Sequence, residues 1–201
     1  MKLQFDHSLL RTEIDKNIKS FDLYDIFSNL PSGSILVGGF IRDLILGKVI
    51  HNPDLDIVVN ASALEVGNGI ANKFDGKLVV LDKERNIVRV IFEHISFDIA
   101  SQTANTIIED LFSRDFTINA IGYSIDKKNI LDPSNGIADI RKSVLRTYKE
   151  QNLIDDPLRM LRCFRFFSEL GFDIDKSLLE FVRSNISLLS KVASERIQYE
   201  L

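Results

Sequence analysis

Short blocks of apolar residues along the first hundred positions predict alternating helices and strands. Residues 8–28 repeat apolar side chains at helical spacing, which predicts one amphipathic helix ending before Pro31-Ser32-Gly33. Runs rich in β-branched and aromatic residues then predict five strands, and amphipathic stretches between them predict two helices. The predicted strands are 34–37, 55–59, 77–81, 86–92 and 95–100, and the helices are 40–46 and 62–74.

From about residue 141 the pattern becomes helical. Asp155-Asp156-Pro157 predicts a helix start, because acids favour a helix N-terminus and proline fits the first turn. Gly171 predicts the end of that helix, and further helices are expected at 175–188 and 193–200. We therefore predict an α+β fold, with a small mixed five-stranded sheet flanked by helices and then an all-helical segment.

Composition limits the class of protein. The 201 residues are 45% apolar, contain no run long enough to cross a membrane and begin with no signal-peptide pattern. Cys163 is the only cysteine, so no internal disulfide forms, which fits a cytoplasmic location. The net charge of −4 argues against bulk nucleic-acid binding, but residues 141–165 carry seven basic and three acidic side chains, which suits a polyanionic ligand.

The first candidate site is the pair Asp54 and Asp56. Side chains alternate along a strand, so these two carboxylates lie on one face, with Leu55 and Ile57 on the other. Two carboxylates suit Mg²⁺, whose shell is commonly completed by phosphates and water. The alternative is a polar strand edge that carries two acids by chance.

A glycine pair, Gly38-Gly39, stands between the first predicted strand and the helix that follows. Glycine at such a turn lets the backbone approach a ligand closely, and the helix N-terminus offers free N–H groups to phosphate. Arg42 lies in the first turn and can add a charged fork. A lone glycine pair is more often just a tight turn, but here the strand with Asp54 and Asp56 follows, so the pattern favours a triphosphate and metal site.

Three further charged positions, Asp98, Arg114 and Asp115, are candidate site residues. Asp98, on the fifth predicted strand, is a candidate third carboxylate for a two-metal site, with an exposed strand acid as the equally good alternative. Arg114 and Asp115 belong to a polar stretch, 113–120. They either bind ribose or phosphate, or cap a helix.

Asp156 and Arg159 are predicted to share one helix face at i and i+3, with Arg162 and Arg165 further along the helix. A carboxylate only accepts hydrogen bonds and a guanidinium only donates them. Side by side they match cytosine or adenine, whose edges pair an amine with an unprotonated ring nitrogen. The alternative is an intrahelical ion pair followed by a solvated basic stripe.

These residues together resemble the class II tRNA nucleotidyltransferases, the family of CCA-adding enzymes and bacterial poly(A) polymerases in the DNA polymerase β superfamily. The similarity runs in the family's order over residues 34–201. It rests on VGGFIRDLILG with DLDIVV, then RDFTINA, LDPSNGIADI, DDPLRMLRCFRFFSELGF and SERIQYEL.

The resemblance implies a nucleotidyltransferase head over 1–140 and a helical neck over 141–201. It implies that Asp54 and Asp56 hold Mg²⁺ and that Asp156 and Arg159 read the base. The implied nucleotide contacts are Gly38, Gly39, Arg42, Arg114, Asp115, Arg162 and Arg165. Glu195-Arg196 is expected to brace the helices that carry the base-reading pair. The expected partners are CTP, ATP and the 3′ end of tRNA.

Three departures from the family pattern affect the subtype. Asp155 replaces a glutamate and Ser113 an arginine. Only Ser101–Asn105 stand where CCA-adding members carry a long flexible loop that is implicated in the switch from C to A addition. This favours CC addition, with poly(A) polymerase and a non-catalytic RNA-binding module as alternatives. Family members also continue past SERIQYEL, so we expect that their body and tail are missing here.

Overall fold

The structure is a computed structural model and describes residues 7–200. Its first element is a helical pair, α1 (His7–Ser20) and α2 (Tyr24–Ser28). The predicted single helix over 8–28 is therefore wrong. Asp22 adopts a left-handed conformation with φ of 55°, and the Leu23 N–H donates to the Ile18 carbonyl, so the chain closes α1 with a Schellman turn.

Seven strands form one mixed sheet. They are β1 (Ile35–Val37), β2 (Asp54–Val59), β3 (Lys77–Asp82), β4 (Ile87–Ile91), β5 (Ser96–Ser101), β6 (Gly122–Ser124) and β7 (Asn129–Leu131). Their order is β3-β4-β5-β2-β1-β6-β7, and β2 and β5 run parallel while the other neighbours are antiparallel. The mixed sheet and its five predicted strands are confirmed. The predicted total of five is wrong, because β6 and β7 are three residues long and show no period.

Four helices accompany the sheet: α3 (Gly39–Ile45), α4 (Ala63–Phe74), α5 (Ile107–Phe112) and α6 (Gly136–Lys142). The starts of α4 and α5 are set by local chemistry. The Ser62 side chain caps α4, and Thr106 and Glu109 form a reciprocal capping box at α5. The apolar faces of α3 and α4 pack on the sheet, which leaves the polar ends of β2 and β5 beside the turn that precedes α3.

The C-terminal segment consists of α7 (Gln151–Asp155), α8 (Leu158–Leu170), α9 (Lys176–Asn185), a 3₁₀ helix (Ile186–Lys191) and α10 (Ser194–Glu200). It also contains a short parallel pair, β8 (Val144–Leu145) and β9 (Asp173–Ile174), so the prediction of an all-helical segment is wrong in this detail. Buried side chains of α8 and α9 join the same apolar cluster as the main sheet. Within residues 7–200 no helix has the length and apolar character needed to cross a membrane.

Candidate active site

A cleft of about 630 Å³ opens between the sheet and α8, and charged side chains dominate its walls. Every position predicted to bind nucleotide lines this cleft, as does Asp56. The set is Gly38, Gly39, Arg42, Arg114, Asp115, Asp156, Arg159, Arg162 and Arg165. Asp54 and Asp98 lie beside Asp56 on β2 and β5 rather than in the cleft wall. Residues far apart in the sequence therefore meet at one place.

Gly38 forms the turn between β1 and α3 with φ of 79°, a conformation that side chains rarely adopt. A Cβ at this position would stand 2.6 Å from Asp56 Oδ2 and 3.7 Å from Arg114 Nη1. The backbone of Gly38 thus lies directly against the Asp56 carboxylate, and only glycine leaves this space open.

The three acidic side chains meet through strand pairing. Asp56 is opposite Asp98 in the parallel β2–β5 pair, and Asp54 is opposite Ser96, whose hydroxyl donates to Asp54 Oδ1 at 2.6 Å. Burial raises the pKa of Asp56 to about 6. The positive charge of Arg114 opposes this shift, while the negative charges of Asp98 and Asp54 add to it.

Arg89 on β4 is a member of this cluster that the sequence analysis missed. Its Nε donates to Asp98 Oδ1 at 2.6 Å, and its Nη2 donates to Asp98 Oδ2 at 2.7 Å and to Asp54 Oδ2 at 3.2 Å. The hydrogen bonds and the neighbouring carboxylates raise the pKa of Arg89. A lone arginine in the apolar run Ile87–Ile91 was the available signal, but its partner depends on strand order.

The carboxylates fit a metal ion with two protein ligands better than one with three. Both oxygens of Asp98 are bonded to Arg89, and residues 7–200 hold no cluster of three or more His, Cys, Asp or Glu side chains suited to a metal. Asp54 and Asp56 remain, and one or two carboxylates are the usual protein share of a Mg²⁺ shell that phosphates complete. The buried, partly uncompensated charge of Asp56 also favours a cation there.

Phe166 organises the basic wall of the cleft. The guanidinium groups of Arg42, Arg162 and Arg165 lie 5.3, 5.5 and 5.0 Å from its ring centroid, within the range of cation–π attraction. The sequence analysis missed this role, although Arg162 and Phe166 at i and i+4 were a usable signal. One aromatic ring thus gathers three positive charges near Asp56.

These arginines differ in how far protein groups already satisfy them. Arg42 donates to Asn119 Oδ1 and to Asp43 Oδ1, and Arg165 forms an ion pair of 2.7 Å with Glu200. Arg114 has a looser ion pair, 3.8 Å from Asp110, and its buried Nε, like that of Arg165, forms no hydrogen bond in the part of the chain that is described. An unsatisfied buried donor of this kind suits an anionic ligand.

Asp115 lines the cleft, but its oxygens are held by protein groups. Its Oδ1 accepts from the Phe116 N–H at 2.7 Å and from Asn119 Nδ2 at 3.2 Å, and its Oδ2 lies 3.0 Å from Arg162 Nη1. Asp115 thus positions Arg162 and also the turn that follows Asp115 in the chain.

Asp156 does not belong to the helix that carries Arg159. It lies between α7 and α8 with φ of −136° and ψ of 92°, because a residue before proline is disfavoured in the helical region. The predicted i, i+3 helical pair is therefore wrong, although both side chains reach the cleft. Asp156 accepts from Arg196 Nη2 at 3.2 and 3.0 Å, while Arg159 donates to the carbonyls of Ser113 and Asn152.

The segment after β5 is short and well fixed. The Ser101 hydroxyl donates to the Ala61 carbonyl at 2.8 Å, and Gln102 bonds the Ala104 carbonyl. Thr103 donates from both its N–H and its hydroxyl to Asp110 Oδ1, shortly before α5 begins at Ile107.

Cys163 is buried. Burial raises the pKa of its thiol to about 12, so almost no thiolate forms near neutral pH. The thiol is therefore unreactive and takes no part in the chemistry of the cleft.

Known proteins share this fold and its motifs. The family model of the poly A polymerase head domain matches residues 34–146. A CC-adding tRNA nucleotidyltransferase of Synechocystis sp. is 39% identical over 85% of this chain and 41% of its own length. One from Geobacter sulfurreducens is 37% identical over 84% of this chain and 39% of its own length.

Solved structures agree with these relatives. A CCA-adding enzyme in complex with CTP aligns with a TM-score of 0.79 and 30% identity over 100% of this chain and 51% of its own. A Thermotoga maritima CCA-adding enzyme complexed with tRNA aligns with a TM-score of 0.79 and 33% identity over 98% of this chain and 49% of its own. The chain thus spans under half the length of those two curated relatives and about half of these structures. The match over residues 34–146 places the chain in the poly A polymerase head domain family, as its resemblance to the class II tRNA nucleotidyltransferases implied.

Proposed function

We propose that this chain is the head and neck of a template-independent nucleotidyltransferase that adds cytidine to the 3′ end of tRNA and releases pyrophosphate. The observation that carries the proposal is the single cleft that joins Asp56 and Gly38 to the arginines around Phe166 and to Asp156 with Arg159. Carboxylates for a metal, cations for a triphosphate and a donor–acceptor pair for a base are the three groups that such a reaction needs.

The basic wall binds the triphosphate in this proposal. Arg114 has a free buried donor, and Arg162 stands close to Asp56, where it is held by Asp115. These fixed guanidinium groups neutralise the phosphates without having to reorganise, which is the main source of stabilisation in phosphoryl transfer. The bare backbone at Gly38 lets the phosphates approach Asp56.

Nucleotidyltransferases of this family generally depend on a metal ion, and we assign Mg²⁺ to Asp54 and Asp56. When bound, Mg²⁺ supplies charge stabilisation to the phosphates and makes the 3′ hydroxyl of the RNA more acidic. Ser96 orients Asp54 for this role, while the longer bond from Arg89 competes with the metal ion. Asp98 is a less favoured ligand because Arg89 holds both its oxygens.

The base is selected by Asp156 and Arg159. Arg196 fixes the Asp156 carboxylate, which accepts from the exocyclic amine of cytosine or adenine, while Arg159 donates to the adjacent ring nitrogen. Uracil and guanine present the reverse pattern, which sets acceptor against acceptor at Asp156 and donor against donor at Arg159, and such a mismatch is strongly rejected.

The short segment after β5 favours CC addition over CCA addition. The segment is too short to form the long loop that is implicated in the switch from C to A addition. Hydrogen bonds from Ser101, Gln102 and Thr103 also fix its position. The CC-adding names of the two relatives support the same subtype. A tRNA substrate also fits the expected cytoplasmic location.

The test incubates the purified protein and Mg²⁺ with a tRNA that ends before CCA and with each labelled nucleoside triphosphate in turn and together. Incorporation of two C residues and no A supports the proposal. Incorporation of C then A would make it a CCA-adding enzyme, and A alone a poly(A) polymerase. RNA binding without incorporation would overturn the enzyme assignment in favour of a binding module.

A further inference from the structure

Phe112 and Tyr148 form an aromatic stack at the surface next to the cleft. Their rings lie nearly parallel, 3.9 Å apart between centroids with an interplanar angle of 14°, whereas the other described ring pairs meet edge to face. Tyr148 is 48% exposed, so only one of its faces is covered by Phe112. An exposed aromatic ring that is held flat by another ring offers a ready surface for stacking.

The stack adjoins the base-reading end of the cleft through the backbone of Phe112, while the Tyr148 side chain lines a second cavity. The Phe112 carbonyl accepts from Asn152 Nδ2 at 2.8 Å, and the carbonyl of the next residue, Ser113, accepts from Arg159 Nη1 at 2.8 Å. Asn152, Ser113 and Arg159 all line the cleft. A group that stacks on Tyr148 would therefore lie next to the incoming nucleotide and belong to a second ligand.

Lys149 places one positive charge beside the stack. Lys149 Nζ lies 6.0 Å from the Phe112 ring centroid and 5.9 Å from that of Tyr148, and within residues 7–200 it forms no ion pair. The stretch 141–149 holds four basic and no acidic side chains. Flat rings beside cations are the combination by which proteins bind single-stranded nucleic acid, the ring taking the base and the cation the phosphate.

We propose that Tyr148, backed by Phe112 and flanked by Lys149, stacks an unpaired base near the 3′ end of the RNA that receives the new nucleotide. This inference rests on the proposed function and adds to it a subsite for the RNA. The stack holds the strand beside Asp156 and Arg159, which read the incoming base. Its contribution is to RNA binding and leaves the affinity for CTP unchanged.

The direct test uses the absence of tryptophan from the chain. Tyr148→Trp introduces a single indole, whose fluorescence is quenched when a nucleobase stacks on it. The matched control is Tyr24→Trp, since Tyr24 is 49% exposed and lies on α2 away from the cleft. Quenching by a tRNA ending before CCA in the first variant alone, reduced when its terminal nucleotide is abasic, supports the proposal. Equal quenching in both variants, or none, overturns it.

Kinetics give a second readout. Tyr148→Ala should raise the KM for the RNA by roughly 5- to 100-fold, the usual cost of one lost stacking contact, while Tyr148→Phe and Tyr24→Ala should not. The KM for CTP should stay constant in all three. An equal rise in both KM values for Tyr148→Ala would mean that the ring only supports the cleft, and would overturn the subsite.

The subsite and the proposed function can fail separately. If the Tyr148→Trp variant incorporates nucleotide while RNA leaves its fluorescence unchanged, the proposed RNA subsite is wrong and the proposed enzymatic function stands. If RNA quenches the fluorescence of that variant in a base-dependent way but no nucleotide is incorporated, the RNA subsite stands and the proposed reaction is wrong.

Discussion

Arg89 holds both carboxylate oxygens of Asp98 across the antiparallel β4–β5 pair, at 2.6 and 2.7 Å. The same guanidinium reaches Asp54 Oδ2 at 3.2 Å. Bidentate bonds of this kind are strong and fix the geometry of both partners. Arg89 therefore competes with a metal ion for the oxygens of Asp54 and keeps Asp98 out of the coordination shell.

Replacing Arg89 should strengthen metal binding. In Arg89→Gln, Asp98 is released and a positive charge beside Asp54 disappears, so we expect Mn²⁺ to bind about tenfold more tightly in the absence of nucleotide. Electron paramagnetic resonance titration of free Mn²⁺ measures this, with the exposed Arg183→Gln on α9 as control. Unchanged or weaker Mn²⁺ binding in Arg89→Gln would show that Arg89 does not compete.

The sequence predicts those parts of the site whose interacting residues are close together along the chain. Gly38 and the Asp54–Asp56 pair follow from local geometry, since a turn and a strand period determine both. Arg89 does not, because its partners are set by which strands become neighbours. The acids and the proline predict a helix that includes Asp156, but proline disfavours helix in the residue before it, and this second rule decides the conformation of Asp156.

Loss of Asp56 should abolish nucleotide transfer and leave the fold intact. Asp56→Asn keeps the shape of the side chain and removes the negative charge needed by a cation, so we expect kcat to fall by roughly 100-fold or more. Incorporation of labelled CTP measures the effect, and Asp82→Asn at the end of β3 serves as control. Retained turnover in Asp56→Asn would exclude Asp56 as a metal ligand.

The same variant should change how stability depends on pH. The pKa of Asp56 is raised from 3.8 to about 6 in the folded chain, so the folded state binds the extra proton and is favoured at low pH. As the pH rises from below about 3 to above about 7, ionisation of Asp56 should lower the free energy of unfolding by about 3 kcal/mol in total. Urea unfolding in EDTA should show this loss in the wild type and a shallower one in Asp56→Asn. Parallel curves would argue that Asp56 titrates normally.

Comparing alanine variants of Gly38 and Gly47 distinguishes the effect of backbone strain from the effect of crowding in the site. Both have positive φ, 79° and 71°, so alanine at either position is strained by roughly 1–2 kcal/mol. Only at Gly38 would the new Cβ meet Asp56, since nothing lies within 4 Å at Gly47. We expect a lower melting temperature in both variants, with the larger loss in Gly38→Ala because Asp56 must shift, and loss of CTP incorporation only in Gly38→Ala. Full activity in Gly38→Ala would show that close backbone approach is not required.

Base selection should depend on Asp156 and not on its neighbour Asp155. In Asp156→Asn the amide can donate as well as accept, so it can pair with the O4 of uracil, and the ratio of kcat/KM for UTP to that for CTP should rise at least about tenfold. Asp155→Asn is the matched control, because Asp155 also lines the cleft but bonds Gln151. Arg196→Ala, which removes the bonds that orient Asp156, should lower kcat/KM for CTP by a few-fold without favouring UTP. Steady-state incorporation with each triphosphate measures all three variants, and an unchanged ratio in Asp156→Asn would remove this residue from base recognition.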